Sequence, residues 1–292
     1  MPQKVTQFGF GQLGLAIAKR LLSSGYSINA WNRSPEKLTA LAEQGVIVKA
    51  TAAQAIKSAE ILISILPDPL ALQEVLFDKD WAHDLEGRCV IHFGSVNPSR
   101  SQAIFDAFSA HQARYVEVAA LGSVNDVFHG NLKMLVACEQ GDYQQVKPLL
   151  DDLSDHVTYF GDIGSAVAVK LAMQQLLASQ FCAFSSSISL IMELGLNVDS
   201  FMEFVRQSPL YAPLFDQKLP RILGRDYSHP NLPGRHLEQD LKLFMEEAEE
   251  TGLNSHNVAS VLELINFSVA RGAGEVDFTA VYDVLHPPKD DD

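Results

Sequence analysis

Through the first half of the chain, short apolar runs alternate with amphipathic stretches. "KVTQF" is a strand-like run, and "LAIAKRLLSSG" then repeats its apolar residues at helical spacing and stops on Gly25. "YSINAW" reads as the next strand, and "PEKLTALAEQG" as a helix with Pro35 near its start and Gly45 just past its end. "AQAIKSA", "LALQEVLF", "SRSQAIFDAFSAHQ" and "DYQQVKPLLDDLS" carry further helical patterns. "EILISILP", "RCVIHFG", "YVEVAAL", "LKMLVAC" and "VTYFG" carry further strand patterns. Such alternation predicts an α/β fold of the Rossmann type, with a parallel, doubly wound sheet. After Gly161 the strand signals stop and long helical patterns take over, interrupted by the Pro/Gly-rich loop "GRDYSHPNLPGRH". The expected division is therefore a nucleotide-binding domain over residues 1–162 and an all-α domain over 163–292.

Composition narrows the partners. The 292 residues are 47% hydrophobic and 20% charged, which fits a globular chain with room for two domains. A net charge of −14 argues against nucleic-acid binding, so any nucleotide must sit in a local pocket. Cys89, Cys138 and Cys182 are far apart and form no CxxC, which suggests structural thiols in a reducing, cytoplasmic setting. The chain enters a strand pattern almost at once, leaving no stretch for a signal peptide. Histidines are scattered and no HExxH occurs, so no metal site is expected.

One segment stands apart. From Leu171 to Met192 no side chain is charged, and Lys170 stands at the head of that silence. A membrane span is one reading, but Gln174, Gln175 and a series of serines make a protein-wrapped helix the better one. For Lys170 itself the residues leave two readings level: a stem that packs while its head snorkels to water, or a buried amine held for chemistry.

The chemistry begins at "GFGQLG". Gly9, Gly11 and Gly14 follow a strand and open a helix, with Gln12 and Leu13 between the last two glycines. In that context the motif is a dinucleotide fingerprint: a tight turn, close backbone approach to a pyrophosphate, and close helix–strand packing. The plain alternative is an ordinary turn. An NAD site usually has an acid at the end of the second strand, where this chain has Asn32, Arg33 and Ser34. Arg33 can pair with a 2′-phosphate and Ser34 can hydrogen-bond to it, so NADP is the expected cofactor. A surface arginine is the alternative.

"GFGQLG", "AWNRSPEK", "ILPDP" and "GSAVAVKLAMQQLL" stand in the order and spacing of the β-hydroxyacid dehydrogenases. The chain resembles that superfamily, which includes 3-hydroxyisobutyrate dehydrogenases, glyoxylate/succinic semialdehyde reductases and imine reductases, up to "RHLEQDLKLF". "LGSVNDVFHGNL" is similar in length and glycine placement to the substrate segment of the glyoxylate reductase branch. The resemblance implies that Lys170 is the catalytic proton donor, on a helix joining two domains and covered in part by a second subunit. It implies cofactor contacts for Leu66, Pro67, Ser95, His236 and Asp240, and substrate contacts for Leu121, Gly122, Ser123 and Gln174. Each has a plainer reading: core for Leu66, a helix cap for Ser95, a turn for Gly122 and Ser123, an exposed pair for His236 and Asp240.

The chain also departs from the family. Leu121 stands where a carboxylate-binding serine is usual, Gln174 where asparagine is usual, Ala166 for a glycine and Gln239 for a lysine. Burying a carboxylate beside Leu121 with one donor fewer would be costly. The first expectation is an NADPH-dependent reductase of a small aldehyde or keto acid, a homodimer or higher homo-oligomer away from membranes. An imine or ketone reductase with an apolar pocket is the second. A catalytically silent NADP-binding module is the third, and the presence of Lys170 argues against it.

Overall fold

The computed structural model describes residues 3–66 and 69–288, and it divides into two compact units, Met1–Lys170 and Leu171–Asp292. In the first, strands and helices follow one another as β1 (Lys4–Phe8), α1 (Gln12–Ser23), β2 (Ser27–Trp31), α2 (Thr39–Ala42), β3 (Ile47–Val48) and α3 (Ala52–Ile56). Next come β4 (Ile61–Ser64), α4 (Pro69–Leu76), β5 (Cys89–Phe93), α5 (Pro98–Ala110) and β6 (Arg114–Leu121). The unit finishes through α6 (Val124–His129), β7 (Lys133–Ala137), α7 (Gln140–Leu153), β8 (Val157–Tyr159) and the head of α8 (Ser165–Glu193).

Among the described residues the strands form one eight-stranded sheet, ordered β3-β2-β1-β4-β5-β6-β7-β8. Apart from the edge strands β3 and β8, its strands are largely buried on both faces, which is why they read as apolar runs. Ile61, Ile63, Ile91 and Val116 meet one helical layer, while Leu62, Val90 and Tyr115 meet the other.

The sheet is parallel except between β6 and β7, which pair antiparallel with Leu121 opposite Lys133. The sheet is thus parallel in the main, as expected, with one antiparallel pair that the pattern did not show. Residues 122–132 are too few for a crossover to the far side, so the chain folds straight back through α6 and the left-handed Gly130. Apolar patterning shows which face a strand buries and is silent about its direction. Two further differences are local. "PEKLTALAEQG" opens as a 3-10 turn over Pro35–Leu38 before the short α2, and the two-residue β3 was not expected at all.

The second unit is helical among its described residues: the rest of α8, then α9 (Val198–Arg206), α10 (Pro213–Gly224), α11 (Gly234–Thr251), α12 (His256–Ser268) and α13 (Tyr282–Leu285). Phe181 meets Phe278 edge-on at 5.1 Å in a core with Leu237, Leu241 and Tyr282. The Pro/Gly-rich loop is held by Asp277, which is fully buried. Its carboxylate accepts from Lys218 Nζ at 3.2 Å, from the Asn231 N–H at 3.0 Å and from the Thr279 hydroxyl at 2.8 Å. A buried charge needs such company, since without it desolvation would dominate.

By length and composition α8 could cross a membrane. Its serines do not argue against that as the sequence suggested, because Ser186, Ser187 and Ser189 bond to carbonyls one turn back on the same helix. One side of it packs: Ala178, Phe181, Cys182, Phe184 and Ile188 are buried in the helical core, while Met173, Leu176 and Leu190 are exposed.

Candidate active site

The site is built at the carboxyl ends of the strands, where open α/β sheets hold their ligands. Gly9 follows β1, Asn32 follows β2, Leu66 follows β4, Ser95 follows β5 and Gly122 follows β6.

The three glycines of the first turn have different reasons. Gly9 has φ +86°, and a Cβ there would lie 2.1 Å from the Ile65 carbonyl oxygen. At Gly14 a Cβ would lie 2.3 Å from the Gly9 carbonyl oxygen. Both are demanded by the fold itself. Gly11 is not: it is extended, exposed, and a Cβ there would meet nothing within 4 Å. The space it keeps open lies at the start of α1, where no side chain caps the helix and no acid stands in the first turn. That is a cradle for an anion on backbone N–H groups. Gln12 is exposed and Leu13 half-buried beside it. Gln7, unremarked in the sequence, clamps the turn from below by donating to the carbonyls of Gly14 at 2.7 Å and Gly9 at 3.2 Å.

After β2, Asn32 donates to the Ser34 carbonyl at 2.8 Å and so shapes the turn. Ser34 precedes the 3-10 turn without capping it through its side chain. Arg33 has 84% of its side chain exposed and meets Glu74 at 3.5 Å. An exposed pair of this kind contributes about 0–1 kcal/mol, so it yields readily to a phosphate. The open Gly11 cradle fits the pyrophosphate of a dinucleotide, with Arg33 and Ser34 at the end of the neighbouring strand.

Lys170 is 8% exposed, and its Nζ donates to Ser95 Oγ at 2.7 Å. This is a held amine, not a snorkelling one. Ser95 does not cap α5 either; Asn97 does, accepting from the Arg100 N–H at 3.0 Å. His92, also at this edge, bonds through Nδ1 to Ser64 Oγ at 3.2 Å. Burial pushes its imidazole down to about 4, so at neutral pH it is uncharged. Leu66 packs into a core layer, as its plainer reading has it, and Pro67 lies outside the described residues.

The loop after β6 closes on itself at Ser123. The resemblance implies substrate contacts for Gly122 (φ +144°) and Ser123, and a free N–H at Ser123 would serve a carboxylate. Instead the Asp126 carboxylate accepts from the Ser123 N–H at 2.6 Å and from its hydroxyl at 2.7 Å, closing a capping box on α6. The S-x-x-D spacing was visible in "SVND" and went unread. Leu121, half-buried, packs on the core beside it.

In the helical unit, Gln174 Nε2 donates to Asp240 Oδ2 at 3.0 Å, with 6% and 3% of the residues exposed. Asp240 is therefore no member of an exposed pair; His236, one turn earlier, is exposed. Ala166 is buried and Gln239 exposed. Among the described residues no cluster of three or more metal-ligating side chains occurs.

Comparison with known proteins gives the family and the fold. Residues 4–161 match the family described as the NAD binding domain of 6-phosphogluconate dehydrogenase. Residues 164–285 match the family described as NAD-binding of NADP-dependent 3-hydroxyisobutyrate dehydrogenase. Glyoxylate/succinic semialdehyde reductase 1 of Arabidopsis thaliana is 28% identical over 95% of this chain and 96% of its own length. A 3-hydroxyisobutyrate dehydrogenase of Mycobacterium tuberculosis, solved with L-serine, shares the fold. Its TM-score is 0.91 at 18% identity, covering 98% of this chain and 99% of that one. An imine reductase of Myxococcus stipitatus, solved with NADP+, has a TM-score of 0.63 at 19% identity, covering 97% and 99%. The cofactor class is therefore a nicotinamide dinucleotide.

The glycines give a test that separates folding from binding. Gly14→Ala should lower the thermal midpoint by several degrees, since overpacking against backbone costs about 1–3 kcal/mol. Gly11→Ala should leave that midpoint unchanged and weaken dinucleotide binding about tenfold or more, the scale of one charge-assisted bond to phosphate. Differential scanning fluorimetry and cofactor titration of both variants check this. Unimpaired binding in Gly11→Ala would remove the cradle.

Proposed function

Because the chain belongs to the β-hydroxyacid dehydrogenase superfamily, we propose that it is an NADPH-dependent reductase of a small aldehyde or keto acid. The observation that carries the reading is the buried Lys170 ammonium, held by Ser95 at the carboxyl edge of the sheet.

The N-terminus of α1 and the open face of Gly11 would receive the pyrophosphate. Arg33 and Ser34, with the nearby Lys37, would hold the 2′-phosphate. A bound nicotinamide supplies the hydride that reduces the carbonyl carbon. Negative charge then grows on the carbonyl oxygen, and an ammonium beside it stabilises that charge and delivers the proton. Ser95 Oγ, as acceptor from Nζ, aims the ammonium without competing for its charge. His92 is a poor rival as acid because it is neutral at working pH. The name of the Arabidopsis relative makes glyoxylate and succinic semialdehyde the first substrates to try.

A second reading, an imine or ketone reductase, is favoured by the loop after β6. Asp126 already takes both Ser123 donors, and Leu121 adds none. The silent-module reading is opposed by Lys170. NADPH consumption with a panel of small keto acids, aldehydes, ketones and cyclic imines separates all three.

The three cysteines are buried and unpaired, which supports a reducing, cytoplasmic location. We also propose a homodimer using α8, on which Met173 is 50% exposed, Leu176 47% and Leu190 60%.

Three outcomes are expected. NADPH should bind more tightly than NADH, and Arg33→Ala should remove most of the difference, about 1.5–3 kcal/mol or ten- to a hundredfold. Fluorescence titration with both cofactors measures it; equal affinities in the parent would overturn the NADP assignment. Lys170→Met should keep cofactor binding and lower turnover by about two to four orders of magnitude. Steady-state rates within a few-fold of the parent would end the proton-donor role. Light scattering at micromolar concentration should give twice the chain mass, and a monomer there would refute the dimer.

A further inference from the structure

A buried carboxylate behind the site has no part in the chemistry above. Glu117 lies in β6, is 2% exposed, and points into the layer where α5 and α8 begin. One carboxylate oxygen accepts from the Val167 N–H at 2.9 Å. The other accepts from the Gly164 N–H at 2.8 Å and from the Ser101 hydroxyl. Gly164 has φ +91° and sits against Pro98, at the start of α5, where a Cβ would be 3.4 Å away.

These contacts join two segments that meet again at the reacting amine. Val167 is three residues before Lys170, on the opening turns of α8. Ser101 is six residues after Ser95, on the opening turn of α5. The helix heads tied by Glu117 are the ones whose flanking residues form the Lys170–Ser95 bond. Burial pushes the Glu117 carboxyl above its ordinary range, while Ser101 and the helix N–H groups pull it back. A fully apolar residue would pack a strand at no such electrostatic cost.

We infer that Glu117 is a positioning residue: its carboxylate locks the heads of α5 and α8 together and so fixes the Lys170 ammonium on Ser95. The inference rests on the proton-donor reading of Lys170 for its catalytic consequence, but not for its geometry.

The test uses the full chain with Glu117→Gln, Glu117→Asp and Lys170→Met. In the cofactor-free protein, Lys170 acylation by a water-soluble amine reagent, read by peptide mass spectrometry, should quicken about tenfold in Glu117→Gln as the local opening becomes easier. In the same variant kcat should fall about ten- to a hundredfold, the scale of a misplaced catalytic group, with the KM for NADPH within about twofold. The basic limb of the kcat–pH profile should shift, and Glu117→Asp should restore part of both effects. A folded Glu117→Gln whose Lys170 labelling and basic limb match the parent would overturn the inference and leave Glu117 as a helix cap. If Glu117→Gln does not fold, Ser101→Ala cuts the tie to α5 alone, and unchanged labelling there overturns it equally. Should Lys170→Met retain turnover while Glu117→Gln still speeds labelling, the proton-donor reading fails and the lock stands.

Discussion

Much of the first unit turns on a carboxyl group placed inside it, that of Glu117. Glu117 brings a carboxyl group to the head of α8, where backbone N–H groups would otherwise lack acceptors, and to the Ser101 hydroxyl on α5. Burial pushes the carboxyl up and the helix N–H groups pull it back, while each side satisfies the other's hydrogen bonds. The consequence is positional. With α8 started at one point on the sheet, its rise of about 1.5 Å per residue sets where Lys170 falls. Ser95 then needs only a short loop after β5 to meet it.

The glycine turn shows the opposite economy, where structure is made by leaving atoms out. Gly9 and Gly14 let a strand end and a helix begin closer than side chains would permit, and Gln7 fastens the gap. Gly11 contributes nothing to that packing. This difference explains why the motif was legible in the sequence: the spacing of three glycines encodes steric demands that few other folds make together. Lys170 was conspicuous in the sequence, though the residues alone left its snorkelling and buried readings level. A lone charge heading an uncharged helix has to be accounted for, and burial with a hydroxyl partner accounts for it.

What was not legible depended on direction or on long-range pairing. "LKMLVAC" has the same apolar pattern whichever way the strand runs, so the reversal at β7 had to come from the short connection before it. Glu117 appeared as one acid in "YVEVAAL", and nothing local shows that its acceptors' partners lie at 164 and 167. Gln174 and Asp240 were each singled out, yet as separate contacts; that they bond to each other needs the fold of the helical unit. The capping box at Ser123 and Asp126 is different, because its spacing was present in the chain and local. There the functional expectation for the loop hid the simpler structural one.

The charge balance bears on the proposed preference for NADPH. A chain of net charge −14 repels a polyphosphate at long range, but at physiological ionic strength such repulsion fades over about 8 Å. Binding must therefore be decided by contacts at shorter range. The turn at Gly11 provides backbone donors that carry no net charge and cannot distinguish NAD from NADP. In the NADPH reading proposed above, discrimination would fall to the end of β2, where no carboxylate stands to grip a ribose hydroxyl and Arg33 is held by Glu74 alone among its described partners. That exposed pair keeps the guanidinium near the turn while leaving it easy to recruit. A deeply buried ion pair such as Lys218–Asp277 would be too costly to exchange, so it serves to fix a loop and not to receive a ligand.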